Sequence, residues 1–68
     1  MTIELNGRPV EVEPAATVAA LVELAGAGGD RHGVAVAVDG EVVPRSAWDE
    51  TELAAGQRVE VLGAIQGG

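Results

Sequence analysis

The sequence predicts an α+β fold, in which a mixed sheet of about five strands packs one main helix on one face. Two patterns carry this prediction: apolar and polar residues alternate near both ends of the chain, and one helical stripe of apolar residues lies between them. The 68 residues are enough for only one small core. We therefore expect a single domain over residues 1–65, followed by a flexible C-terminal tail over residues 66–68 that ends in Gly-Gly.

The first two strands are predicted as a hairpin within residues 2–13. Apolar residues alternate with polar ones in this segment and therefore share one face of the sheet: Ile3, Leu5, Val10 and Val12. Asn6-Gly7 lies between the two runs and suits a tight turn, because both residue types accept positive φ. The pattern indicates an antiparallel pair with its other face toward solvent.

The main helix is predicted to follow directly. Pro14-Ala15-Ala16 ends the second strand, and Thr17 is a residue type that caps helices. Beyond it, apolar residues recur at the i, i+3, i+4 and i+7 spacing of one helical face: Val18, Leu21, Val22 and Ala25. Gly26 is expected to end the helix and to open a glycine-rich loop over residues 26–33.

Two further strands are predicted after this loop. Residues 34–38 are apolar without interruption, which is typical of a strand that is central or covered on both sides. Asp39-Gly40 then turns the chain into a short strand over residues 41–43, which Pro44 closes.

The last part of the chain predicts a short helical turn and a final strand. Ser46 and Asp49 have the spacing of a capped turn of helix, and Trp48 is placed to cover the edge of the small core. After a turn at Ala55-Gly56, the final strand runs from residue 58 to about residue 62.

The acidic composition limits the choice of partners. Eleven acidic residues against four arginines and no lysine give a formal net charge of −7. Such a surface repels phosphate backbones and anionic lipid heads, which argues against nucleic acid and membranes as partners. It suits a partner with a basic face, although solubility alone explains it equally well. The first five residues include an acid and no continuous apolar run, so we expect no signal peptide and a cytoplasmic location.

No set of residues predicts a catalytic or metal site. The sequence has no cysteine, which excludes a disulfide and a thiolate metal site, and its single histidine, His32, lies in the glycine-rich loop. Glu50 and Glu52 lie on a polar turn without an apolar pocket that would separate their acidities. We therefore expect a carrier or binding protein with no bound cofactor and no enzymatic activity of its own.

The C-terminal Gly67-Gly68 is the feature that points to chemistry. Two residues without Cβ atoms can pass through a narrow channel and approach a nucleotide closely. A carboxylate is a poor electrophile, but conversion to an acyl adenylate makes attack by a sulfur nucleophile feasible. Because the chain has no cysteine that could carry a persulfide, only the C-terminus can hold sulfur. A frayed tail without a role is the alternative interpretation.

Two aliphatic residues near this tail are candidates for docking. If Val59 and Val61 point inward on the last strand, Leu62 points outward, and Ile65 follows just beyond it. Exposed aliphatic side chains beside a functional tail are what a partner needs for docking. The alternative is that Ile65 folds back over the edge of the core.

Several of these segments resemble a known family. Residues 43–48 read Val-Pro-Arg-x-x-Trp, and a turn with Gly56 and the terminal Gly67-Gly68 follow; Asn6-Gly7 and a helix start at Thr17-Val18 also match. Over nearly its whole length the chain is similar to the ThiS family, the sulfur carriers of thiamine thiazole biosynthesis, which have the ubiquitin-like β-grasp fold. The terminal Gly-Gly is shared by all relatives of this fold, whereas the Val-Pro-Arg-x-x-Trp segment is characteristic of the thiazole branch.

The resemblance implies a carrier cycle. An ATP-dependent, ThiF-like adenylating enzyme would activate the carboxylate of Gly68, a sulfur donor system would convert it to a thiocarboxylate, and thiazole synthase would receive the sulfur. Gly67 would then provide clearance for the tail, and no residue of the chain would be catalytic. Sulfur carriers for molybdopterin or cysteine synthesis share the tail and stay open as alternatives. So do a protein modifier joined to lysines by isopeptide bonds and an inert interaction domain.

Overall fold

Strands and helices follow one another in the predicted order. The structure is a computed structural model that describes residues 1–25 and 33–63. Its elements are β1 (Thr2–Leu5), β2 (Arg8–Glu11), α1 (Val18–Leu24), β3 (Val34–Val38), β4 (Glu41–Val43), a 3-10 helix (Arg45–Ala47) and β5 (Arg58–Gly63). The described residues do not include Gly26, the rest of the predicted loop up to residue 32, or residues 64–68.

The strands form one mixed sheet in the order β2-β1-β5-β3-β4. β1 and β5 run parallel, and the other neighbouring pairs are antiparallel. β3 pairs with a strand on each side, as predicted for an interior strand, but it is not covered on both faces, because Ala35 is exposed. Since α1 packs on one face of this sheet, the predicted fold class is confirmed.

The core lies between α1 and the inner face of the sheet. Its buried hydrophobic residues are Ile3, Val18, Ala19, Leu21, Val22, Val36, Trp48, Leu53, Val59 and Val61. On β5, the buried Val59 and Val61 alternate with the exposed Glu60 and Leu62, which confirms the predicted inward and outward assignment. Neither helix in residues 1–25 and 33–63 combines the length and hydropathy needed to cross a bilayer.

Both hairpins turn through two residues with positive φ. The φ angles are 50° at Asn6 and 85° at Gly7 in the first turn, and 51° at Asp39 and 86° at Gly40 in the second. This geometry matches the right-handed twist of the flanking strands. The predicted turn at Ala55-Gly56 is also present.

α1 begins as predicted but is shorter than its apolar stripe suggested. Thr17 is the N-cap, and its hydroxyl oxygen accepts a hydrogen bond from the backbone N–H of Ala20 at 3.2 Å. Three residues of the predicted stripe are buried: Val18, Leu21 and Val22. The prediction for Ala25 is wrong: the helix ends at Leu24, and Ala25 is the exposed C-cap. Ala19 is the fourth buried residue of the helix instead.

The short helical turn exists, but its predicted cap is wrong. Pro44, with φ −64°, is the N-cap of the 3-10 helix, and no side chain, including that of Ser46, makes a capping hydrogen bond. Proline reaches this geometry without a polar cap because its ring already fixes φ. Trp48 lies deeper than the predicted edge position, since only 1% of it is exposed, and its Nε1–H donates to the carbonyl oxygen of Val43 at 3.0 Å.

Candidate functional site

The central strand β5 leads toward the predicted reactive C-terminus. Its last residue, Gly63, pairs with Val34 of β3 and precedes Gly68 by five positions. Gly67, Gly68 and Ile65 lie outside the described residues, so the role of each stays a prediction. What the structure does describe is β5, the strand that precedes these residues in the chain.

β5 has more paired residues along one edge than along the other. On one edge, β3 pairs with it in five antiparallel residue pairs that reach Gly63. On the other edge, β1 pairs with it in only two, Glu4 with Arg58 and Leu5 with Val59. The backbone of β1 therefore supports only the beginning of β5.

Leu62, a predicted docking residue, lies on the helix-free face of the sheet. It is 65% exposed, as an outward position on β5 requires. Its cross-strand partner is the exposed Ala35 of β3. The prediction that Leu62 points outward is thus confirmed, and its role in docking stays a prediction.

The sheet register adds an apolar residue that sequence reasoning missed. Val42 of β4 is 75% exposed and lies opposite Ala37 of β3 on the same face as Leu62. We call the resulting apolar surface the outer patch, formed by Ala35, Ala37, Val42 and Leu62. Alternation within the short strand 41–43 gives no signal for an outward Val42, because the polar Glu41 shares a face with Val43. The position of Val42 beside Leu62 depends on the pairing of β3 with both β4 and β5.

Charge on this outer face is mostly acidic. Glu60 is exposed and pairs with Ala37, so its carboxylate lies beside the outer patch. At the start of β5, Arg58 Nε lies 3.7 Å from Glu4 Oε2; the Arg58 side chain is 69% exposed and that of Glu4 46%. The Glu4 charge is therefore compensated locally, and Glu60 gives the outer patch a negative border.

The described residues contain no metal cluster, and the groove described below lies at the other end of the sheet. Within residues 1–25 and 33–63, no three His, Asp or Glu side chains are grouped to hold a metal ion. An open groove of about 580 Å³ lies near Met1, Val12 and Leu24. Because β1 and β5 are parallel, this groove at the start of β1 lies away from the end of β5.

Comparison with known proteins decides the family. The model of the ThiS family matches residues 3–68, a span that includes both terminal glycines. The chain belongs to the ThiS family. No curated protein sequence matches it significantly.

Two solved structures support this ThiS-family assignment. A crystal structure of the thiamine biosynthesis protein ThiS from Geobacter metallireducens has 33% sequence identity and a TM-score of 0.78, with all of both chains covered. A solution structure of a thiamine biosynthesis protein from the same organism has 33% identity and a TM-score of 0.79, and covers all of this chain and 88% of the other. The resemblance inferred from the sequence is confirmed, as is the β-grasp fold. This ThiS-family chain is thus a small sulfur carrier protein of thiamine biosynthesis.

Proposed function

We propose that the chain carries sulfur as a thiocarboxylate on Gly68 and delivers it to thiazole synthase in the cytoplasm. The observation that carries the proposal is the ThiS-family match through residue 68, which makes the terminal Gly-Gly part of the family pattern. Gly67 provides clearance, because a residue without Cβ lets the tail enter a narrow nucleotide site. The chain binds no cofactor of its own and acts as a co-substrate.

The chemistry proceeds in two displacements on the partner enzyme. The Gly68 carboxylate oxygen attacks the α-phosphorus of ATP, and pyrophosphate leaves. A sulfur nucleophile at the oxidation level of sulfide, supplied by the sulfur donor system, then attacks the acyl carbon, and AMP leaves. The ThiF-like adenylating enzyme supplies the ATP site, and the product is the thiocarboxylate anion.

We propose that the adenylating enzyme docks on the outer face of the sheet. Leu62 is the exposed aliphatic residue there that lies closest along the chain to the tail, and Ala35, Ala37 and Val42 extend its apolar surface. A small apolar centre with a charged border is the usual composition of such a contact. Ile65, which follows in the tail, is proposed as an additional contact.

Intact mass spectrometry tests the carrier chemistry. The chain is incubated with the ThiF-like adenylating enzyme, ATP and sulfide, and we expect a gain of about 16 Da, because sulfur replaces one oxygen. The gain should disappear when Gly68 is deleted or ATP is omitted. Addition of thiazole synthase with its other substrates should return the original mass. Absence of a gain with an enzyme that still forms the adenylate would contradict the proposal.

Two further observations separate the alternatives. If the sulfur serves thiazole formation, a strain lacking this chain should require thiamine, and supplied thiazole should restore growth. Growth without that requirement would redirect the proposal to molybdopterin or cysteine synthesis. A ladder of heavier adducts in cell extract would indicate a protein modifier with isopeptide bonds to lysines.

A further inference from the structure

Asn6 belongs to the first hairpin turn, but its side chain reaches the last strand, 55 residues further along the chain. Its Nδ2–H donates to the carbonyl oxygen of Val61 at 3.1 Å, and the backbone N–H of Val61 donates to its Oδ1 at 2.9 Å. The side-chain amide thus presents one donor and one acceptor, as a peptide group of a neighbouring strand would. Asn6 therefore acts as one additional paired residue on this edge of β5.

This pair lies where the support of β5 by β1 ends. The backbone N–H of Asn6 donates to the carbonyl oxygen of Val59 at 2.9 Å, and the chain then turns away into β2. The amide of Asn6 extends the support by two residues, to Val61, which is itself buried. Without the amide, the backbone donor and acceptor of Val61 on this edge would lose these partners, which is costly for buried groups.

We propose that Asn6 is a positioning residue for the C-terminal tail, an inference that rests on the proposed carrier function. By holding Val61, Asn6 supports β5 on the edge opposite β3 close to its last residue, Gly63, and so fixes the end of the strand that precedes the tail. Gly68 lies only five positions beyond Gly63, so the end of β5 is the described part of the sheet nearest in sequence to the reacting carboxylate. Misplacement of a reacting group by about 1 Å can slow a reaction by about 100-fold.

Asp39 offers a matched control on the same strand. It occupies the same position in the second hairpin turn, with nearly the same φ, and its Oδ1 accepts a hydrogen bond from the backbone N–H of Arg58 at 3.0 Å. This bond joins the turn to the first residue of β5, whereas Asn6 joins its turn to Val61 near the end. Glycine accepts positive φ, so Asn6→Gly and Asp39→Gly each remove a side chain without straining the turn.

The experiment compares these two variants with the unchanged chain. Hydrogen exchange at the Val61 amide is measured on the free protein, and adenylation by the ThiF-like enzyme is followed as pyrophosphate release at saturating chain. For Asn6→Gly we expect Val61 to exchange roughly fivefold faster or more, because one hydrogen bond is lost. We expect the saturated rate to fall roughly tenfold with KM nearly unchanged, because the tail is misplaced after docking. Asp39→Gly should leave both values within about twofold.

A second variant, Asn6→Asp, provides the test if Asn6→Gly does not fold. Asn6→Asp keeps an acceptor for the Val61 N–H but replaces the donor with a carboxylate oxygen that faces the Val61 carbonyl, so its rate should also lie below that of the unchanged chain. Equal adenylation rates for the unchanged chain and both Asn6 variants would overturn this inference alone. No adenylation of the unchanged chain would overturn the proposed function, and this inference with it.

Discussion

Trp48 is the residue on which the stability of this small core most depends. Its side chain is the largest among the fully buried ones and donates a hydrogen bond to Val43. We expect Trp48→Ala to lower the free energy of unfolding by about 3–5 kcal/mol, through the lost contacts and the remaining cavity. A core this small supplies only about 3–5 kcal/mol of net stability, so the variant should be largely unfolded.

Urea unfolding followed by far-ultraviolet circular dichroism measures this effect, because the variant lacks the only tryptophan. Val42→Ala is the control: Val42 is 75% exposed, and truncation there should change the free energy of unfolding by no more than about 0.5 kcal/mol. A Trp48→Ala variant with the unfolding midpoint of the unchanged chain would contradict the assigned role.

At the scale of the elements, substitutions in the outer patch should change docking and leave the fold unchanged. Leu62 of β5 and Val42 of β4 are exposed on the helix-free face, so an aspartate at either position should leave the fold intact. In a contact it would place a charge in the apolar centre, and we expect each variant to weaken binding of the adenylating enzyme roughly tenfold or more. Titration calorimetry with the purified enzyme gives the Kd values.

Leu24→Asp is the matched control for this test. Leu24 is 60% exposed, which is close to Leu62, but it lies at the end of α1 rather than on the outer face. This variant should bind the enzyme with the Kd of the unchanged chain. If all three variants lose the same affinity, or if none does, the outer patch is not the docking surface.

Patterns that lie within one element predict the fold well. Alternation predicted the first hairpin and the inward residues of β5, an apolar run with Asp39-Gly40 predicted the second hairpin, and Thr17 with the apolar stripe predicted the start of α1. Each of these depends only on neighbouring residues. The errors arose at boundaries. Ser46 has the spacing of a cap, but Pro44 starts the 3-10 helix, and Ala25 continues the stripe only if the helix is longer than seven residues.

Local patterns of this kind could not predict the features that join distant parts of the chain. Asn6 was predicted as a turn residue from its neighbour Gly7, and nothing local indicates its hydrogen bonds to Val61. The outer patch likewise needs the register of three strands before Val42 and Leu62 belong to one surface. Both features depend on which strands become neighbours, and that is decided by the packing of the whole sheet.

At the scale of the whole molecule, the net charge of −7 predicts electrostatic steering toward a basic face of the adenylating enzyme. Glu60→Gln and Glu13→Gln each remove one negative charge, from −7 to −6, but Glu60 borders the outer patch and Glu13 lies beyond the end of the edge strand β2. Stopped-flow association at low salt should be slowed roughly two- to fivefold by Glu60→Gln and less by Glu13→Gln. At 1 M salt the Debye length is about 3 Å, so the rates should converge. Association rates that do not respond to salt would mean that the charge serves solubility alone.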